Sequence, residues 1–133
     1  MTTNRGAQTP RDLLAGYVQR VAAGDVAGIL GSYAADAVVT LPCGREAAGL
    51  EAIGAAFGAV VRSGVGFPVD DSVVDGARVI ETGSLSMVSF TGLDGAVRTM
   101  VAWRGDDGWA WVRDGSMLRD VEAALDTGLV DVA

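Results

Sequence analysis

Three Asp-Gly dipeptides, Asp75-Gly76, Asp94-Gly95 and Asp107-Gly108, divide the second half of the chain. Such pairs favour tight turns, because Gly accepts a left-handed backbone and Asp tolerates one. The segments between them, near 69–74, 77–90, 96–104 and 109–118, read as strands. A chain punctuated in this way is committed to an antiparallel meander. The first half follows a different period. Thr9 can cap a helix, Pro10 suits its first position and Asp12 suits the positive dipole end. Leu13, Leu14, Tyr17, Val18 and Val21 then recur at helical spacing. Gly24 stops that helix, and Asp25 starts a shorter one carrying Val26, Ile29 and Leu30. Residues 37–41 make a short strand ended by Pro42 and Gly44, and a third helix runs from Gly49 to about Arg62. Helices first and a meander after give an α+β fold, with three N-terminal helices covering one face of a curved antiparallel sheet.

Composition removes more chemistry than it supplies. The chain has 133 residues, which suits a single domain, and it contains no His. Ser–His and Cys–His nucleophiles and His-containing metal sites are therefore excluded. All ten basic residues are Arg, so Schiff-base chemistry on Lys is excluded too. A single Cys43 builds neither an internal disulfide nor a thiolate cage, and no metal or other cofactor is expected. A net charge of −7 disfavours nucleic acid as a partner. No apolar run approaches the roughly 18 residues of a membrane span. Residues 1–10 are polar, without the apolar core of a signal peptide, and read as a flexible arm of a cytoplasmic protein.

The turns assign faces to the strands. Two-residue turns at Asp94-Gly95 and around Asp107 put Ser84, Ser86, Val88, Phe90, Thr99, Val101, Trp103, Ala110, Val112 and Asp114 on one side. A three-residue loop would flip that alternation. The opposite side carries Leu85, Met87, Ser89, Arg98, Met100, Ala102, Arg104, Trp109, Trp111 and Arg113. The first side is expected to face the helices, and Asp114 is its only ionisable group. An acid held in an apolar setting is a candidate for proton chemistry. The second side, mixing Arg with Trp, reads as a wet surface or a subunit interface.

These landmarks carry a resemblance. Tyr17 before Ala23-Gly24-Asp25, the run Tyr33-Ala34-Ala35-Asp36-Ala37, the opening Gly49-Leu50-Glu51-Ala52-Ile53, and Trp111-Val112-Arg113-Asp114 with its tail Leu118-Arg119-Asp120 are the residues concerned. The chain resembles the cone-shaped superfamily of nuclear transport factor two, ketosteroid isomerases, SnoaL-like polyketide cyclases and limonene epoxide hydrolase. The resemblance covers residues 11–127, leaving 128–133 as a tail. It implies helices on the concave face of the sheet, an internal pocket, no cofactor, and a homodimer through the Arg/Trp face. Tyr17 falls where the isomerases carry an oxyanion-hole Tyr, and Asp114 where limonene epoxide hydrolase carries a catalytic carboxylate. Leu41 replaces the isomerase base Asp and the hydrolase's water-holding Asn. The hydrolase's companion Arg and Asp fall near Gly83 and Ser84, and the isomerase's second Asp near Thr99. SnoaL-like cyclases conflict least with what remains.

The resulting expectation is an enzyme that cyclises or isomerises a hydrophobic, polyketide- or terpenoid-like molecule. Asp114 would act as acid/base and Tyr17 as hydrogen-bond donor. Leu41, Ser86, Val88, Phe90, Thr99, Val101, Trp103 and Val112 would line the pocket. The alternatives are a non-catalytic binder of a small apolar ligand and an epoxide hydrolase-like activity.

Overall fold

A computed structural model describes residues 7–40, 45–64 and 66–114. Among these described residues there are four helices: α1 (Pro10–Ala23), α2 (Val26–Leu30), α3 (Leu50–Ser63) and α4 (Ser72–Asp75). Six strands, β1 (Tyr33–Thr40), β2 (Glu46–Ala48), β3 (Arg78–Thr82), β4 (Leu85–Thr91), β5 (Val97–Gly105) and β6 (Gly108–Asp114), form one curved sheet ordered β2-β1-β6-β5-β4-β3. The α+β layout is as the periodicity implies. The helix starts are also as read: the Thr9 hydroxyl accepts from Asp12 N at 3.0 Å, and Gly24 closes α1 in the left-handed conformation. Leu14, Val18, Ile53 and Phe57 pack this helical layer onto the sheet with no exposure. Each such side chain contributes about 1.5–3 kcal/mol on burial.

Several expectations need correction. The sheet is mixed, because β1 runs parallel to β6 while every other pair is antiparallel. Sequence neighbours along a meander pair antiparallel; a strand from the first half could enter beside β6 in either sense. Residues 69–74 make no strand: Ser72–Asp75 is a helical turn started by Asp70, whose carboxylate accepts from Ser72 N. The expected long strand over 77–90 is broken at Gly83, whose φ of 59° turns β3 into β4. Ala7 forms an isolated bridge to Trp109, and residues 1–6 of the expected arm lie outside the described residues. The proposed end of the domain at 127 and the tail 128–133 lie outside the described residues.

The faces differ most. The β4–β5 loop closes at Gly92 and Ala96, leaving the three residues Leu93-Asp94-Gly95, with Gly95 at φ 85°. This is a turn followed by a left-handed residue, the usual three-residue hairpin. Phe90 therefore pairs with Arg98 and Val88 with Met100, one residue away from the two-residue reading. The inner face carries Ser86, Val88, Phe90, Arg98, Met100, Ala102, Trp109 and Trp111. Thr99, Val101, Trp103 and Val112 belong to the outer face and cannot line an inner pocket. Trp109, Trp111 and Arg98 have turned inward, so the expected Arg/Trp surface does not exist as such.

Asp114 nevertheless faces the helices. Between β5 and β6 the register shifts: Ala102 pairs with Trp111, but Val101 pairs with Arg113. Val112 is the extra residue of a bulge, which re-aims everything after it. The loop and the bulge each reverse the alternation, and for Asp114 the two reversals cancel.

Candidate active site

Three polar side chains meet inside the apolar layer. Tyr17 comes from the middle of α1, Tyr33 from the first position of β1, and Asp114 from the last position of β6. The parallel pairing places Tyr33 beside Trp111 and Val39 beside Asp114, so β1 and β6 deliver phenol and carboxyl to the same place. The Tyr33 hydroxyl donates to Asp114 Oδ2 at 2.8 Å. Tyr17 Oη lies 2.8 Å from Tyr33 Oη and donates to Asp114 Oδ2 at 3.3 Å. Each phenol has one proton, so with Tyr33 donating to the carboxylate, Tyr17 shares its proton between Tyr33 and Asp114.

Aromatic rings wall this cluster. Tyr17 meets Tyr33 edge-to-face at 5.8 Å and Trp111 at 5.7 Å, and Tyr33 packs against Phe57 at 6.1 Å. Asp114 is 1% exposed and Tyr17 fully buried. Burial, and then the negative charge of Asp114, push both phenols well above the ordinary tyrosine range. Both hydroxyls therefore remain protonated donors at neutral pH. The arrangement can hold or pass a proton among three oxygens, and it can offer a phenolic O–H to a ligand oxygen. Among the described residues, no three metal-binding side chains come together.

The remaining candidates divide clearly. Ser86, Val88 and Phe90 are buried on the inner face of β4. Thr99 bonds the Ser89 hydroxyl at 3.0 Å on the outer face, away from Asp114. Val101 lines an outer hollow of about 340 Å³ with Ile80, Leu85 and Met87. Trp103 and Val112 line another of about 640 Å³, together with Ala34, Asp36 and Arg113. Neither hollow is lined by Tyr17, Tyr33 or Asp114. Leu41 lies outside the described residues. Tyr33 is the residue that sequence reasoning missed as a site member. Its signal was faint: a Tyr at a strand start gains meaning only once β1 is known to lie beside β6.

A family model for the SnoaL-like domain matches residues 14–115. No curated protein matches the chain. Among solved structures, an NTF2-like protein with a cystatin-like fold from Novosphingobium aromaticivorans is 19% identical, covering 91% of this chain and 86% of that one, with a TM-score of 0.62. An NTF2-like protein of unknown function from Pseudomonas putida is 19% identical over 79% of this chain and 80% of its own, at 0.59. A ketosteroid isomerase-like protein from Erwinia carotovora atroseptica is 16% identical, with coverage of 77% and 88% and a TM-score of 0.58. At these identities the likeness concerns the fold.

Proposed function

The chain belongs to the SnoaL-like family, and we propose that it is an acid/base enzyme that isomerises or cyclises a small hydrophobic molecule. Membership of this family suggests an isomerase- or cyclase-type role or ligand binding. The observation that carries the catalytic reading is the convergence of Tyr17 and Tyr33 on Asp114 Oδ2 inside an aromatic wall. In this reading Asp114 takes a proton from a carbon next to a carbonyl, and Tyr17 donates to the oxygen on which charge accumulates. Tyr33 holds the carboxyl group and links it to Tyr17, so the dienolate oxygen is held by the Tyr17 hydroxyl while Asp114, now carrying the removed proton, returns it to the γ-carbon and leaves the conjugated ketone. No bond in that sequence needs a cofactor, because the proton is moved within the substrate and no electron acceptor is involved. A polyketide- or terpenoid-like substrate, a place in secondary metabolism and a cytoplasmic location belong to the same reading. An apolar wall suits a greasy skeleton, whose folded conformation the site would have to hold.

A β,γ-unsaturated cyclic ketone is the simplest probe, since its isomerisation to the conjugated enone is followed by absorbance. Asp114→Asn is expected to lower its turnover about 10²- to 10⁴-fold while keeping the fold. Equal turnover by the variant and the parent would remove the acid/base role.

One observation favours a structural role for the cluster: Tyr17, Tyr33, Trp111 and Asp114 are packed to 5% exposure or less. In that case the parent itself would show no turnover, and the ketone would leave the alkaline ionisation of the two tyrosines unchanged.

A further inference from the structure

Side chains cross the inner face of the sheet in rows, one residue from each strand. One row runs Ser86, Ala102, Trp111, Tyr33, from β4 through β5 and β6 to β1. The next runs Val88, Met100, Asp114, Val39, and its only polar side chain is the carboxyl group already described. The first row is richer, since it holds Ser86 Oγ and Trp111 Nε1 besides the Tyr33 hydroxyl. Ser86 is 2% exposed and Trp111 fully buried, and neither polar atom has a hydrogen-bond partner among the described residues. A buried donor left unpaired keeps the whole cost of its lost hydration, so the large majority of such groups are satisfied. Exceptions gather at functional sites.

The two groups lie next to the proposed chemistry. Trp111 meets the Tyr17 ring edge-on at 5.7 Å and pairs with Tyr33 across β6 and β1. Ala102 stands between Trp111 and Ser86 with only a methyl group. Ser32 Oγ is also buried and unpaired, but it sits in the turn ahead of β1 and outside this row. Donor chemistry then selects the ligand. An indole N–H only donates, so it requires an acceptor, and a serine hydroxyl can donate to the same atom. A carbonyl oxygen, with two lone pairs, accepts from both. Asp114 on the neighbouring row disfavours a second anion, and the buried Arg98 is engaged by Asp94.

We propose that Trp111 and Ser86 form a second binding subsite, which takes a neutral carbonyl oxygen at the far end of the substrate. The inference rests on the acid/base reading for the first oxygen, at Tyr17, and narrows the substrate to a skeleton that carries two. Strands lie about 4.8 Å apart, so the second oxygen stands roughly 5–10 Å from the first. A skeleton with one ketone leaves both donors unpaired and binds less well.

Two saturated bicyclic ketones, which cannot isomerise, test this by calorimetric titration of the full chain. One carries a second carbonyl on its far ring and the other does not. The parent is expected to bind the diketone about tenfold more tightly. In Ser86→Ala, and independently in Trp111→Phe, that ratio should fall to about threefold or less. Ser86→Ala should also unfold at a higher denaturant concentration than the ligand-free parent, because an unpaired buried hydroxyl is gone. A lowered midpoint would make the hydroxyl part of the fold and remove it from the subsite. Equal affinities in the parent, as a water bridging the two donors would give, overturn the proposal. So does a parent that binds neither ketone, or a ratio that both substitutions leave intact. Failure of the acid/base reading would show separately, as no turnover of the unsaturated ketone with the affinity ratio preserved.

Discussion

Two charged side chains lie buried on the inner face of the sheet, and the fold treats them differently. Arg98 is 1% exposed and is gripped at the β4–β5 loop by Asp94, through bonds of 3.1 and 2.9 Å to the two carboxylate oxygens. Asp94 is held down to a pKa of about 2, first by its hydrogen bond from Arg98 and then by the backbone N–H of Ala96. The grip is so close that a methyl group on Gly92 would collide with the guanidinium, which is why a residue without a side chain stands there. Asp114, equally buried, is met by two neutral phenols. A bidentate ion pair is a fixed structural connection with no proton in play. Asp114 accepts from two phenolic O–H groups at one oxygen, and these three oxygens form a path along which a proton can pass. The first arrangement stabilises a loop; the second suits chemistry.

Substitutions can break that contrast. Arg98→Ala, which removes a fully buried large side chain, should cost about 2–4 kcal/mol of stability in denaturant unfolding. It should leave the tyrosine ionisation of the folded protein unchanged, and a changed ionisation would mean that the two buried charges are coupled. Tyr33→Phe should cost less, about 0.5–1.5 kcal/mol. Its larger effect should fall on turnover of the ketone probe, because Asp114 loses the 2.8 Å contact from the Tyr33 hydroxyl. Stability lost without any change in turnover would make Tyr33 structural. Thr99→Val should matter least, within about 0.5 kcal/mol and with turnover unaltered. A strong effect there would restore the inward placement that the loop geometry denies.

Thr99 also shows where reading from sequence stops. The helical stripe through Leu14, Tyr17 and Val18 and the inner side of β4 are legible, because each depends only on a local period. The β5 face is not, because it depends on whether the Asp94-Gly95 turn spans two residues or three. Asp-Gly serves both geometries, so the dipeptide locates the turn without setting its parity. The bulge at Val112 leaves no mark in the sequence; Trp111 and Asp114 look like opposite faces until the register is seen. The Asp114 placement thus came right through two reversals that no local pattern reveals. Tyr33 required knowledge of a pairing between residues about eighty positions apart, and in a parallel sense. Local chemistry was readable; convergence across the sheet was not.

Tyr17 and Tyr33 are the only tyrosines in the chain, so tyrosinate absorbance reports on this cluster alone. With both folded-state values raised above the unfolded value of about 10, the folded protein holds two protons that the unfolded chain releases. Stability is therefore unaffected by these groups below about pH 10 and falls as the pH rises above it. In a spectrophotometric titration followed together with circular dichroism, the account predicts no tyrosinate near pH 10 while the fold persists, with ionisation appearing well above that value. In Asp114→Asn, where the carboxylate's charge is gone, ionisation should begin at lower pH. Tyrosinate forming near pH 10 in the folded parent, or an identical titration in Asp114→Asn, would contradict the buried Tyr17–Tyr33–Asp114 cluster on which the proposed chemistry rests.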